Sequence, residues 1–382
     1  MNRHRPALLA FSTALFLALH SILECTAEGA DAQRTLRRAA ESLFEMGVGI
    51  DARIVNRPED WPLLTSQFSI ITPENCMKPA AIQPEEGRFN FAQADAFMDF
   101  ATRHKLEVVG HCLVWAKDDR TPPWFFQDGD QPASRELLLE RMRHHIETVA
   151  GRFRGRIATW DVVNEALDDG EPYLRPSGWT RLCGDNEDFI AKAFEYAHAA
   201  APDALLIYND YHIFQPGKRA KALRLLRALV DRNAPVHAVG LQGHFEFDSI
   251  PYQDLEDTLI AFRELGLKVV VSELDIDVVT RERWWADGGA HREELAKWDP
   301  YADGCPPGIL ERQAEQYARL FALFRKHSDV IARVSFWNLH DGQSWLNYFP
   351  WRRVNHPLLF DRNREPKPAF DAVLKVLNEG DE

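Results

Sequence analysis

The sequence predicts an α/β fold built as one (β/α)8 barrel of the TIM type. Three observations support it. Short apolar, β-branched runs recur along the chain, segments of helical spacing separate them, and about eight such units fit into roughly 330 residues. Apolar runs without polar alternation belong to strands covered on both faces, as in parallel sheets. An open doubly wound sheet is the alternative. Its nucleotide fingerprint is missing, because Gly47-Val48-Gly49 is not followed by the third glycine that motif requires.

The strand candidates, in order, are Gly47–Ile50, Phe68–Thr72, Glu107–Gly110, Thr159–Val163, Leu205–Tyr208, Ala238–Leu241, Lys268–Ser272 and Ile331–Trp337. Between them, Ser134–Ala150 carries apolar residues at Leu137, Leu138, Leu139, Met142, Ile146 and Val149, a helical spacing. Asn186–Ala199, Lys218–Leu229, Leu255–Leu265 and Glu311–Phe324 show similar stripes. No internal repeat or low-complexity linker divides the chain. The long polar segment Val278–Gly308 would lie on the C-terminal rim of a barrel, either lining the site or as a surface insertion.

The 382 residues include 45% hydrophobic residues, enough for a substantial core, and carry a formal net charge of −13. That charge argues against nucleic-acid binding, which needs Lys and Arg against phosphates. The N-terminus reads as a secretory signal over residues 1–32, leaving 33–382 as the barrel. Arg3 and Arg5 precede an apolar stretch from Ala7 to Leu19, which is too short to span a bilayer comfortably. Cys25-Thr26-Ala27 or Ala30-Asp31-Ala32 offers small residues for cleavage; an uncleaved signal anchor is the alternative. Export implies a secreted or periplasmic protein, off the membrane once the signal is removed, and a monomer is expected. Cys76, Cys112, Cys183 and Cys305 would remain, with no CxxC pair; export permits disulfides, in any of three pairings, while Cys76 and Cys112 sit in strand-end motifs and read as buried thiols or packing residues. The tandem His144-His145 lies in a predicted helix without a metal-binding spacing such as HExxH, so neither metal nor cofactor is expected.

Two strands share a design. Trp160-Asp161-Val162-Val163-Asn164-Glu165-Ala166 and Val269–Asp277 each run an apolar strand into a glutamate. In a barrel, strand ends at one face point toward each other across the mouth, so Glu165 and Glu273 can meet. Two carboxyls, one protonated and one ionised, are the minimum equipment for breaking a glycosidic bond. A single strand-end glutamate more often forms a structural ion pair; two in polar-aromatic clusters favour chemistry.

Seven blocks then resemble family 10 of the glycoside hydrolases, in family order and covering roughly Arg37 to the C-terminus. They are Thr72–Lys78, Gly110–Trp115, Trp160–Ala166, Tyr208–Tyr211, Gly240–His244, Ser272–Asp275, and Phe336-Trp337 with Ser344-Trp345. The resemblance implies a retaining endo-β-1,4-xylanase whose partner is a xylan chain, with Glu165 as acid/base and Glu273 as nucleophile. Asn164 would bond the sugar 2-hydroxyl. His244, oriented by Asp275, would support Glu273. Glu74, Asn75, Lys78, His111 and Trp115 would line the glycone side, and Gln242 would face the catalytic sugar. Trp337 and Trp345 would wall it, and Tyr211 would stack on the leaving-group side. Asp161 is expected to be structural.

The chain departs from the family where Trp115 is followed by Ala116-Lys117-Asp118 rather than His and then Gln, and where Pro79 replaces a common Trp. Asn338-Leu339-His340 follows Trp337 where a Gly is usual. The changes at Ala116, Asp118 and Pro79 are expected to alter the glycone cleft and leave open another β-glycan or a decorated xylan. A sugar-binding protein on a hydrolase scaffold is the remaining alternative, and the intact glutamates argue against it.

Overall fold

The computed structural model describes residues 34–379, so the expected signal segment lies outside the described residues. Eight parallel strands form the barrel: β1 Glu45–Ile50, β2 Ile70–Pro73, β3 Glu107–Trp115, β4 Thr159–Asn164, β5 Leu205–Asp210, β6 Ala238–Leu241, β7 Lys268–Asp277 and β8 Ile331–Trp337. Neighbours in sequence are neighbours in the sheet, and β8 closes on β1 with Glu45 opposite Arg333 and Gly49 opposite Trp337. Each strand is followed by a major helix: α1 Trp61–Gln67, α2 Ala92–His104, α3 Arg135–Arg152, α4 Asp188–Ala200, α5 Pro216–Asp231, α6 Tyr252–Glu264, α7 Pro307–Lys326 and α8 Pro368–Asn378.

The strands form where β-branched runs can be covered twice, by the barrel interior and by the helices. All six residues of β4 are buried, as are nine of the ten in β7. The helices show the complementary pattern: α3 starts on Ser134, whose hydroxyl accepts the Leu137 N–H, and turns Leu138, Met142, Ile146 and Val149 inward. Backbone packing is tight where large rings fill the barrel. A Cβ on Gly110 would lie 2.1 Å from the Trp160 ring, so only glycine leaves room for that indole.

Two strands run further than the apolar pattern indicates. β3 continues past Gly110 to Trp115, and β7 past Ser272 to Asp277, because each absorbs an irregularity and pairs again. The register of β7 on β8 shifts between Val271 and Leu274, and that of β3 on β4 between His111 and Val114. Beyond the first shift, β7 pairs with a short strand His244–Glu246. These extensions carry side chains onto the C-terminal rim. Among the described residues, Cys76, Cys112, Cys183 and Cys305 are free thiols, with Cys76 and Cys112 buried as expected. No described helix is long and apolar enough to cross a membrane.

Candidate active site

The C-terminal ends of β4 to β7 hold one continuous hydrogen-bonded lattice. Glu273, in the irregular stretch of β7, is buried; its Oε1 accepts from Asn209 Nδ2 at 2.8 Å, and its Oε2 faces His244 Nε2 at 3.3 Å. The other His244 nitrogen, Nδ1, lies 3.0 Å from Asp275 Oδ2, which also accepts Trp345 Nε1–H at 2.8 Å. Burial alone would push the imidazole toward neutrality. The facing carboxylates of Asp275 and Glu273 overcome it and raise His244 to about 9. His244 is therefore an imidazolium clamped between two carboxylates. Glu273 responds in kind. Burial pushes its carboxyl up, but the His244 hydrogen bond, the His111 and His244 charges and the Asn209 amide hold it below the usual glutamate range.

Glu165 is placed differently. It follows the last residue of β4 with φ +57°, a left-handed backbone that few non-glycine residues adopt. Its N–H donates to Asn209 O at 2.9 Å and its carbonyl accepts from Arg175 Nε at 3.1 Å, which over-determine that turn. Its carboxyl Oε1 accepts a neutral Gln242 Nε2–H at 3.2 Å, while Oε2 lies 3.8 Å from Lys117 Nζ. Gln242 Nε2 also reaches Asn164 Oδ1 at 3.4 Å, and Asn164 Oδ1 accepts from Asn209 Nδ2 at 2.9 Å. Turning the Asn164 amide over would give Trp115 Nε1 an acceptor at 3.3 Å, but would set two amide nitrogens 2.9 Å apart. The closer contact decides for the first orientation. A chain of amides thus links the two carboxyl groups.

Asn209 is the hub of that chain and was absent from the expected site residues. Its Nδ2 serves Glu273 and Asn164, and its Oδ1 accepts Ser272 Oγ–H at 2.6 Å. Gly240 makes room for it: a Cβ there would lie 2.2 Å from Asn209 Oδ1. The signal that picks out the glutamates, a polar side chain ending a buried strand, also points to Asn209. In the charged bed near Glu165, Asp210 shares that signal as the last residue of β5, whereas Lys218 and Asp169 lack it. Buried Lys218 pairs with Asp210 at 3.0 Å and Asp169 at 2.8 Å, and Tyr208 Oη donates to Asp210 at 2.6 Å.

The other expected residues gather on the same rim. His111 Nδ1 lies 2.8 Å from Asp161 Oδ2 inside the barrel, so Asp161 has the structural part expected of it. Trp337 is buried, its ring 5.6 Å from His111. The Trp345 ring lies 4.9 Å from His244 and 5.0 Å from Phe349. Lys78 bonds Asn75 Oδ1 at 3.1 Å and sits 4.7 Å over the Trp115 ring, rather than forming a simple pair with Glu74. Burial raises the Glu74 carboxyl, which accepts Asn338 Nδ2–H at 3.1 Å. Tyr211 has Lys218 Nζ 3.5 Å over its ring and accepts from Arg175 at 2.6 Å, so one ring face is already covered.

Pro79, Ala116 and Asp118, the departures expected to alter the cleft, are each held by the scaffold. Pro79 is buried and opens the one-turn helix Pro79–Ile82. Ala116 is buried, its N–H donating to Asn164 O at 3.0 Å. Asp118 accepts the Gly178 N–H at 2.6 Å and pairs with Arg181 at 2.9 Å. Of this group, Lys117 is the residue that approaches a candidate catalytic carboxyl. The start of the 278–308 segment backs the site: Arg281 pairs with Asp277 at 2.8 Å and lies 5.6 Å from the Trp345 ring, and Trp284 stacks on Trp351.

Known proteins resemble this chain over most of its length. The family model described as glycosyl hydrolase family 10 matches residues 35–376. An endo-1,4-beta-xylanase of Geobacillus stearothermophilus is 38% identical over 90% of this chain and 98% of its own length. A beta-1,4-xylanase of Dictyoglomus thermophilum is 36% identical over 89% and 90%. Among solved structures, a GH10 endoxylanase from a sugarcane soil metagenome superposes with TM-score 0.81 at 37% identity, over 90% of this chain and 99% of that one. The Thermobacillus composti GH10 xylanase gives 0.76 at 41% identity, over 90% and 99%.

Proposed function

The chain belongs to glycosyl hydrolase family 10, and on that footing we propose that it is a retaining endo-β-1,4-xylanase acting on internal bonds of xylan. The observation that carries the mechanism is the unequal support of two carboxyls joined by one amide chain. Glu273 receives an imidazolium and an amide hydrogen bond, both of which favour its ionised form. Glu165 receives a neutral amide, with a cation at a longer 3.8 Å.

In the first step Glu273 attacks the anomeric carbon. The bond to the leaving oxygen breaks, and Glu165 gives that oxygen its proton. A glycosyl-enzyme ester results and the aglycone departs. In the second step Glu165, now a carboxylate, takes a proton from water. The hydroxyl attacks the same carbon and frees Glu273. Two inversions give net retention. Asn164 would bond the sugar 2-hydroxyl, and Glu74, Asn75, Lys78, His111, Trp115, Gln242, Trp337 and Trp345 would hold the glycone around it. Tyr211 would meet the leaving group with its free face.

The N-terminal segment would export the enzyme, as a monomer, to the periplasm or the medium; cell fractionation tests that part. The chemistry is tested by proton NMR of xylan hydrolysis with product profiling on xylan, cellulose and mannan oligosaccharides. The expected result is β-configured xylo-oligosaccharides from internal cleavage. α-Configured first products, or negligible xylan cleavage beside rapid cleavage of another glycan, would refute the reading.

A further inference from the structure

Outside the catalytic lattice, the rim carries a small hollow of about 80 Å³ lined by Asp51, Arg53, Ile54, Arg57, Gly342, Gln343 and Tyr348. Asp51 directly follows β1, and Gln343 and Tyr348 follow β8, so the hollow opens on the face that bears Glu74 and Asn75. The connection is direct. Asn75 and Arg53 both help to hold the Asp51 carboxyl below its usual range, and Arg53 lies in the field of Glu74 and Tyr348. Asn75 in turn holds Lys78. A sugar chain in the proposed glycone cleft would therefore pass the mouth of this hollow.

Its charge is unusual for a chain with 58 acidic and 45 basic residues. Asp51 is occupied by Arg53, whose Nε lies 2.6 Å from Asp51 Oδ1. Gln343 is occupied by Asp60, at 2.7 Å. Arg57 is half-buried, and among the described residues no carboxylate pairs with it. Beside it Tyr348 stands 67% exposed, a ring face of the kind on which a sugar packs. A second hollow of about 150 Å³ lies across Tyr348, with Arg352, Arg353 and Arg362. There Arg353 pairs with Asp277 at 2.8 Å, and Arg362 is held by Asn347 and Asn355. That hollow borders the β8 loop rather than Asn75.

We propose that the Arg57 hollow binds the carboxylate of a uronic-acid branch on the glycan chain held in the cleft. Arg57 takes the carboxylate through its paired N–H groups, and Tyr348 supports the branch sugar. A planar guanidinium with no internal partner suits that ligand, because two parallel N–H donors match two carboxylate oxygens. The assignment rests on the proposed xylanase reading and names the substrate class within it.

The test compares kcat/KM on linear xylo-oligosaccharides with kcat/KM on the same backbone bearing one glucuronic-acid branch, at low salt. The readout is the branched-to-linear ratio for wild type, Arg57→Gln, Arg57→Lys and Arg352→Gln. Losing a charge-assisted contact is expected to lower the ratio about tenfold in Arg57→Gln. A smaller drop is expected in Arg57→Lys, and no drop in Arg352→Gln. Reducing the branch carboxyl to an alcohol should reproduce the Arg57→Gln ratio in the wild-type enzyme. An unchanged ratio in Arg57→Gln, a drop confined to Arg352→Gln, or indifference to carboxyl reduction overturns the proposal. If linear substrates are cleaved and branch preference is absent, this inference alone falls; if neither substrate is cleaved, the xylanase reading falls with it.

Discussion

The rim of this barrel has two halves built on different principles. From β4 to β7, Asn164, Glu165, Asn209, Gln242, His244, Glu273 and Asp275 satisfy one another through short hydrogen bonds in buried surroundings. From β1 to β3, Glu74, Asn75, Lys78 and Lys117 are half-exposed or exposed, and fewer hydrogen bonds join them to one another. The first half is pre-organised for bond breaking, where a small displacement weakens transition-state stabilisation. On the proposed reading, the second would meet the polymer and could vary without disturbing the chemistry. Substitutions in the first half should therefore depress kcat broadly, and those in the second should shift preference among substrates.

Glu273→Ala gives the largest expected effect. Turnover on every substrate should drop by at least about 10⁴-fold, while binding of xylo-oligosaccharides, read by calorimetry, persists. Residual turnover above that level would remove Glu273 from the role of nucleophile. Glu165→Ala comes next, with a loss of about 10²–10⁴-fold on xylan and far less on aryl xylobiosides, whose activated leaving groups need little protonation. Equal losses on both substrate types would argue against the acid/base assignment.

His244→Gln is expected to act through pH. The folded imidazole titrates at about 9, above its ordinary 6.5. Its stabilisation is thus complete below about pH 6.5 and is lost as pH rises through about 9. Glu273 contributes with the opposite sign: its lowered carboxyl stabilises above about pH 4.5 and ceases to as pH falls. The stability gap between wild type and variant should be widest near pH 6, on the order of 3 kcal/mol at most, and narrow toward pH 10. A gap constant from pH 6 to 10 in chemical denaturation would contradict the imidazolium clamp. Asn209→Ala follows, with an expected ~10–100-fold loss in kcat from removing hydrogen bonds to a buried carboxylate. A change confined to KM would place Asn209 outside the catalytic lattice.

The same division governs what the sequence reveals. Strands buried on both faces leave continuous apolar runs, so all eight were legible, and a glutamate after two of those runs pointed to the candidate site. Asn209 sits one residue before the end of β5 and carries no charge, so it is inconspicuous until Glu273 and Asn164 are seen on either side of it. The extension of β3 and β7 depends on register shifts, which arise from pairing between distant strands and have no local signature. Ion pairs such as Lys218 with Asp169 join positions 49 residues apart by the fold alone. The segment 278–308 also becomes interpretable only once Arg281 is seen against Trp345.

The smallest expected effect concerns Asp118, the departure that looks most like a change in the cleft. Its two oxygens are both occupied, one by the Gly178 N–H at 2.6 Å and one by Arg181 at 2.9 Å. Gly178 begins the short helix Gly178–Cys183 in the loop after β4, so Asp118 ties the β3 loop to the loop beyond Glu165. The side chain remains 46% exposed, so water screens much of the interaction. Asp118→Ala should lower stability by about 1 kcal/mol, seen as a modest drop in Tm, because one N–H loses its acceptor near the surface. Products from xylohexaose should keep their lengths and proportions. A redistributed product pattern at unchanged Tm would give Asp118 a place against the substrate and move it from the scaffold into the variable half of the rim.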